Sequence, residues 1–251
     1  MSGTKIMTIK ASNNKKIRIA LAGLGTVGNG VIRLLLRELP QYRNSLGVEL
    51  ELVCILDRSY RRKDVSWIGN KVHFTDSLSQ FLEVPADVLV ELVGSKDPAD
   101  EIIRKGLSAH KAVVTANKLL IARHGGEYLR LAEEKNAYLG FEASVAGGIP
   151  VVRVLRRSLI SDQLTSIKGI LNGTCNFILS QMRQHDQEYQ DALSQAQSLG
   201  YAESDPSLDV SGGDTADKLS ILSTIGFQQT ILPHQVPTDG ITGLTPVDFL
   251  Y

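Results

Sequence analysis

Short apolar runs alternate with longer stretches of helical spacing through the first 145 residues. Ile17–Ala22 (IRIALA) is apolar and β-branched and ends on a glycine cluster, the pattern of a parallel strand buried on both faces. Val27–Leu39 has helical spacing, with Val27, Val31, Leu34 and Leu35 on one face, and Pro40 is expected to stop it. Leu50–Leu56 (LELVCIL), Asp87–Val93 (DVLVELV), Ala112–Thr115 (AVVT) and Tyr138–Glu142 (YLGFE) read as further strands. Helices are expected at Pro98–Ser108 and Leu119–Lys135. Strands that alternate with helices predict an α/β fold, a doubly wound parallel sheet covered on both faces.

The pattern changes after Ala146–Pro150 (AGGIP). Helical segments now dominate: Val151–Leu159, a helix around Ile178–Met182, Glu188–Leu199 and Thr215–Ile225. One strand, Leu164–Leu171, precedes Asn172-Gly173-Thr174, which by composition is a tight turn. This second region reads as α+β. The expected organisation is therefore a disordered extension over 1–16, a first domain over 17–145 and a second over 146–251.

Composition narrows the partners. Of 251 residues, 43% are apolar and 22% charged, as in ordinary soluble domains. Lysine plus arginine and aspartate plus glutamate are equal at 27 each, so no overall field favours nucleic acid or an anionic membrane surface. No apolar run reaches the ~18–20 residues that span a bilayer, and the polar N-terminus lacks a signal-peptide core. Cys54 and Cys175 lie far apart, which suggests a reducing compartment. A cytoplasmic protein is expected.

Gly23-Leu24-Gly25-Thr26-Val27-Gly28 follows a strand and opens a helix, the context in which GxGxxG binds a dinucleotide. Gly23 permits the turn, Gly25 lets backbone approach a pyrophosphate, and Gly28 lets the helix pack on the strand. The helix N-terminus supplies free N–H groups and positive potential. These features predict a Rossmann-type domain for NAD or NADP. Asp57, ending the second strand, could accept from a ribose 2′-hydroxyl. It is followed by Arg58, Arg61, Arg62 and Lys63, which would attract a 2′-phosphate, so use of both cofactors with a lean to NADP is expected.

Chemistry concentrates in two further stretches. Val113-Val-Thr115-Ala-Asn-Lys118 runs off a strand end, where ligands of open parallel sheets bind. A lysine at a helix start is disfavoured by the helix dipole unless it has a task. From Gly200, GYAESDPSLDVSGGDTADKL holds Glu203, Asp205, Asp209, Asp214 and Asp217 within fifteen residues, followed by Lys218. Asp214 and Lys218 stand four apart and share a helix face; Asp209 and Asp217 are expected to face solvent. In Ser144–Pro150 (SVAGGIP) the glycines can turn carbonyls inward, which suits a hard cation, or can form a hinge.

Over Ile17–Leu250 the chain resembles homoserine dehydrogenase, through GLGTVGNGV, VLVELVGS, VVTANKLLIARHG, FEASVAGGIPVV, LNGTCNFIL and GYAESDPSLDVSGGDTADKL in that order. The resemblance implies NAD(P)-dependent interconversion of L-homoserine and L-aspartate 4-semialdehyde, in threonine, methionine and isoleucine biosynthesis, by a homodimer. It implies Lys218 as proton donor, Lys118 beside cofactor and substrate, and Glu203 and Asp214 as substrate-binding acids. Ser95 and Thr115 join the cofactor residues. Glu142, Val145, Gly147 and Ile149 match a site for a monovalent cation, usually sodium.

An ammonium near the carbonyl that receives hydride stabilises the growing oxyanion and can protonate it. In reverse it must accept a proton, and burial together with a second lysine would favour its neutral form. Leu56 stands where the family often has arginine, and Ser95 where a second glycine is common. The family also continues beyond Tyr251, so a truncated relative, with an incomplete second domain, or a non-catalytic remnant is the alternative expectation.

Overall fold

The computed structural model describes residues 15–250. The expected disordered extension therefore lies mostly outside the described residues, while Lys15 and Lys16 already belong to the first strand. The order is β1 (Lys15–Ala22), α1 (Thr26–Leu46), β2 (Val48–Leu56), β3 (His73–Thr75), α2 (Leu78–Glu83), β4 (Val88–Glu91), α3 (Lys96–Ser108), β5 (Ala112–Thr115), α4 (Lys118–Glu134) and β6 (Leu139–Gly140). All six strands form one parallel sheet of order β3-β2-β1-β4-β5-β6. The order reverses beside β1, which puts the topological switch point at the β1–α1 turn. The sheet is the Rossmann arrangement that the alternating pattern predicts.

The central strands are apolar because helices cover both faces. Ala20, Leu21, Ala22, Cys54, Ile55, Leu89 and Val113 are fully buried, as are Ile102, Ile103 and Leu107 of α3. Helix α1 buries a different stripe from the one expected. Ile32 is fully buried, with Val31, Leu35 and Leu36 packed on the core, whereas Val27 and Leu34 are 58% and 48% exposed. Gly28, Ile32 and Leu36 lie at four-residue steps, so this row faces the sheet. Nor does Pro40 end the helix. The stop is Gly47, left-handed at φ 64°, whose N–H bonds to the Arg43 carbonyl.

The chain divides into two compact units: the described residues up to Thr115 with Arg130–Gly140, and Ala116–Leu129 with the residues from Phe141 onward. The second contains α5 (Val151–Arg153), which runs into a π-helical turn at Val154–Ser158, then α6 (Gly173–His185), α7 (Tyr189–Ser198), α8 (Ser207–Val210) and α9 (Gly213–Gly226). Its core gathers Ile178, Met182, Tyr189, Ala192, Ala196, Ala202 and Val210.

Two expectations fail here for identifiable reasons. Leu164–Leu171 joins no ladder among the described residues, and Ile170 is 76% exposed; an extended run becomes a strand only with a partner. Asn172-Gly173-Thr174 is a helix start, because the Asn172 carboxamide oxygen accepts the Cys175 N–H at 2.7 Å.

Gly23 and Gly28 are required by geometry. Gly23 has φ 102°, and a Cβ at Gly28 would lie 1.8 Å from the Gly23 carbonyl oxygen. Gly28→Ala should therefore destabilise the fold by roughly 1–3 kcal/mol or more in urea melts. Gly25→Ala, with nothing within 4 Å of its added Cβ, should stay within about 0.5 kcal/mol of the parent.

Candidate functional site

In the first unit a cavity of about 450 Å³ lies over the carboxyl ends of the strands, lined by Gly23, Gly25, Leu56, Asp57, Arg58, Ser59, Lys63, Asp76, Leu78 and Leu92–Ser95 with Pro98. It sits at the switch point and faces the N-terminus of α1, which carries no acidic residue in its first turn and no side-chain cap. Thr26 and Val27 are exposed in that turn. Space remains over Gly25, and the buried hydroxyl of Ser95 has no hydrogen-bond partner among the described residues. An open glycine, bare helix N–H groups and an unsatisfied hydroxyl in one cavity fit a pyrophosphate-bearing cofactor.

Asp57 is held by four donors. Its Oδ1 accepts from the Ser59 N–H at 2.8 Å and Ser59 Oγ at 2.9 Å. Its Oδ2 accepts from the Leu24 N–H at 2.9 Å and Lys63 Nζ at 2.8 Å. Burial works to raise the Asp57 carboxyl, but the hydrogen bonds from Lys63, Leu24 and Ser59 outweigh it and hold the group below its ordinary range. The Lys63 contact is hidden in a basic run that by sequence reads only as an attractant for a 2′-phosphate. Beneath the cavity, Glu91 ends β4 fully buried, accepting from the Thr115 hydroxyl and from the Val93 N–H at 2.7 Å. Burial pushes its carboxyl up, against both hydrogen bonds. Thr115 thus spends its hydroxyl on Glu91, a residue the apolar strand pattern conceals.

The second unit brings both lysines to one carboxylate. Lys118 begins α4, whose first turn is capped by the Asn117 carboxamide, accepting from the Leu120 N–H at 3.1 Å. Asp214 lies in the first turn of α9, where the helix dipole favours an acid. Lys118 Nζ bonds to Asp214 Oδ1, and Lys218 Nζ lies 2.7 Å from Oδ2. Asn172 Nδ2 donates to Asp214 Oδ2 at 2.8 Å and to Asp209 Oδ1 at 2.7 Å, while Lys218 also donates to the Leu171 carbonyl at 2.7 Å. The Lys218 and Asp214 side chains are only 21% and 8% exposed, so their four-residue spacing makes a half-buried bridge rather than a surface pair.

This geometry revises several expectations. The two ammonium groups do not face each other bare: Asp214 lies between them and neutralises one charge. Asp209 is part of the cluster through Asn172, and Asp217 is 6% exposed rather than solvated. Burial pushes the Asp217 carboxyl up, with Lys118 and Arg123 opposing and Asp214 adding to the rise. Glu203 lies on an exposed loop outside the cluster. Asn172 is the hub that sequence reading took for a turn; its place as an Asn immediately before a helical run was the available signal.

A cavity of about 590 Å³ opens beside the cluster, lined by Asn172–Thr174, Asn176, Phe177, Ser180, Gly200, Tyr201, Asp209, Asp214 and Lys218. It combines one ammonium with two carboxylates, a polarity suited to a small zwitterion. Cys175, beside it, donates weakly to the Asp209 carbonyl, and burial pushes its thiol up.

At the expected cation site, Glu142 accepts from the Val152 N–H at 2.9 Å and the Arg153 N–H at 3.0 Å. Val145 is buried, Ala146 and Gly147 have φ 61° and 56°, and the Ile149 carbonyl accepts the Val151 N–H at 2.8 Å. No group of three or more His, Cys, Asp or Glu residues is placed to hold a metal ion among the described residues.

The doubly wound sheet and the cavity at its switch point define a dinucleotide-binding α/β protein. Residues 23–142 match the family model of the homoserine dehydrogenase NAD-binding domain, and residues 150–251 that of homoserine dehydrogenase. A Pseudomonas aeruginosa homoserine dehydrogenase is 40% identical over 94% of this chain and 54% of its own length. The crystal structure of a Thiobacillus denitrificans homoserine dehydrogenase superposes with a TM-score of 0.83 at 39% identity, covering 93% of this chain and 54% of that one. A hyperthermophilic archaeal homoserine dehydrogenase in complex with NADPH gives 0.76 at 30% identity, covering 91% and 75%. The chain belongs to the homoserine dehydrogenase family. It spans about half the length of the curated relatives it matches. Among the described residues no helix is long and apolar enough to cross a membrane.

Asp214 gives a test of the cluster. Burial raises its carboxyl, but the bonds from Lys118, Lys218 and Asn172 prevail and hold it below the ordinary value. Because the folded value is the lower one, the stabilisation is complete above pH ~4 and disappears as pH falls through that lower value. Asp214→Asn should cost about 3–5 kcal/mol in urea melts at pH 7, with the gap closing in acid.

Proposed function

We propose that the chain carries out NAD(P)-dependent interconversion of L-homoserine and L-aspartate 4-semialdehyde. The observation that carries this reading is the joining of Lys118 and Lys218 through Asp214 at the edge of a zwitterion-sized cavity. Family membership supports it. Gly23, Gly25, Thr26, Val27, Gly28, Arg58 and Ser95 would hold the cofactor. A bound nicotinamide supplies or accepts the hydride. Lys218 Nζ places its proton where the substrate oxygen gains charge in the reducing direction, and takes the hydroxyl proton in the other. The Leu171 carbonyl and Asp214 fix that nitrogen, so little reorganisation accompanies the transfer. Lys118, on the other oxygen of Asp214, adds positive potential. Asp214 and Asp209 give the cavity its negative side, and Glu203, on the exposed loop just after the cavity-lining Gly200 and Tyr201, would meet the substrate ammonium with Asp214.

The same reading includes a monovalent cation, probed most simply with sodium, held by Glu142 and the carbonyls of Val145, Gly147 and Ile149; a carboxylate with carbonyls is a hard donor set. It also includes a homodimer working in threonine, methionine and isoleucine biosynthesis. No specific observation favours the alternative of a non-catalytic remnant.

Purified protein given L-homoserine and either cofactor should produce reduced nicotinamide, followed by absorbance. Absence of turnover alongside clear NADP binding would refute the catalytic reading. Lys218→Ala should lower kcat by about 10²–10⁴-fold with cofactor affinity unchanged; a fully active variant would remove Lys218 from the chemistry.

A further inference from the structure

An acid at the end of the second strand ordinarily serves a dinucleotide by accepting from the ribose 2′-hydroxyl. It can do so only with a lone pair to spare. A carboxylate offers about four acceptor positions, and four donors already meet Asp57: the Ser59 N–H and hydroxyl on Oδ1, the Leu24 N–H and Lys63 Nζ on Oδ2. Two of these donors are backbone amides fixed by the fold. Lys63 is the one that brings charge, and it is anchored a second time by the Leu24 carbonyl at 2.8 Å. The side chains of Lys63 and Asp57 are 33% and 11% exposed, so the pair is sheltered from full solvent screening.

The other charges along this cavity point the same way. Arg58 lines it with no ion pair to an acid among the described residues, and Asp76 lies 3.6 Å from Arg61. Each acid lining the cavity thus has a cation beside it.

We propose that Lys63 sets the cofactor choice of this pocket: by occupying Asp57 it removes the acceptor that a ribose 2′-hydroxyl needs and cancels the charge that would repel a 2′-phosphate, so the pocket selects the 2′-phosphorylated dinucleotide. The inference rests on the reading of this cavity as the dinucleotide site. It makes Lys63 a specificity-determining residue, with Arg58 as a further cation for the phosphate.

The test is direct binding, by fluorescence titration of the full chain with NADPH and with NADH. The unsubstituted protein should bind NADPH more tightly. Lys63→Met should weaken NADPH by about tenfold or more, the scale of one charge-assisted hydrogen bond, while leaving NADH equal or tighter; Lys63→Arg should keep the original preference. Equal weakening of both cofactors in Lys63→Met, or an unchanged ratio, overturns the inference and leaves the dinucleotide site standing. Binding of neither cofactor by the unsubstituted protein overturns the site itself. Asp57→Asn provides a second arm if Lys63→Met does not fold. Its preference for NADPH over NADH should persist or rise, since Lys63 keeps its charge and loses its partner, and loss of that preference would overturn the inference.

Discussion

The second unit depends on one buried carboxylate. Asp214 carries a single negative charge and receives two lysines and a carboxamide. Its burial would be costly alone, and so would that of either lysine. Together they form a cluster in which removing Asp214 leaves two sheltered ammonium groups uncompensated. Such a cluster adds little stability compared with well-packed apolar groups, but it admits few arrangements. It therefore fixes the nitrogen of Lys218 in space more tightly than a flexible four-carbon stem would do on its own. Positioning, not net stability, is what the burial achieves.

The first unit solves a similar problem at Asp57. There the carboxylate is completed by the turn it closes: the Leu24 amide comes from the glycine-rich turn, the Ser59 groups from the following loop, and Lys63 from the far end of that loop. The acid thereby ties the phosphate-binding turn to the loop after β2. Glu91 does comparable work on the other side of β1, joining the ends of β4 and β5 through Thr115. In that case no cation is adjacent among the described residues, and burial drives the carboxyl towards its neutral form. The strand ends on either side of β1 thus hold acids of opposite tendency, set by whether an amine is within reach.

Much of this architecture was legible before any coordinates. Apolar runs of four to eight residues between glycine and acid boundaries fix a parallel sheet, and GxGxxG fixes its switch point. What misled was local. Pro40 reads as a stop, yet Gly47 ends the helix by adopting the left-handed conformation. Leu164–Leu171 has strand composition, yet no ladder receives it among the described residues. The α1 stripe was displaced because Val27 is apolar but belongs to the open turn beside the cavity, where exposure is tolerated.

The sequence by itself determined the fold class, the dinucleotide turn and the residue types of the chemistry, because each is written in short-range periodicity or in contiguous motifs. Tertiary structure alone decided which charges meet. Lys118 and Asp214 are 96 positions apart, Asn172 and Asp209 37, and Leu24 and Asp57 33. No local pattern encodes such pairings. Burial then converts them from surface ions, worth tenths of a kcal/mol, into constraints that hold an amine or close a carboxylate.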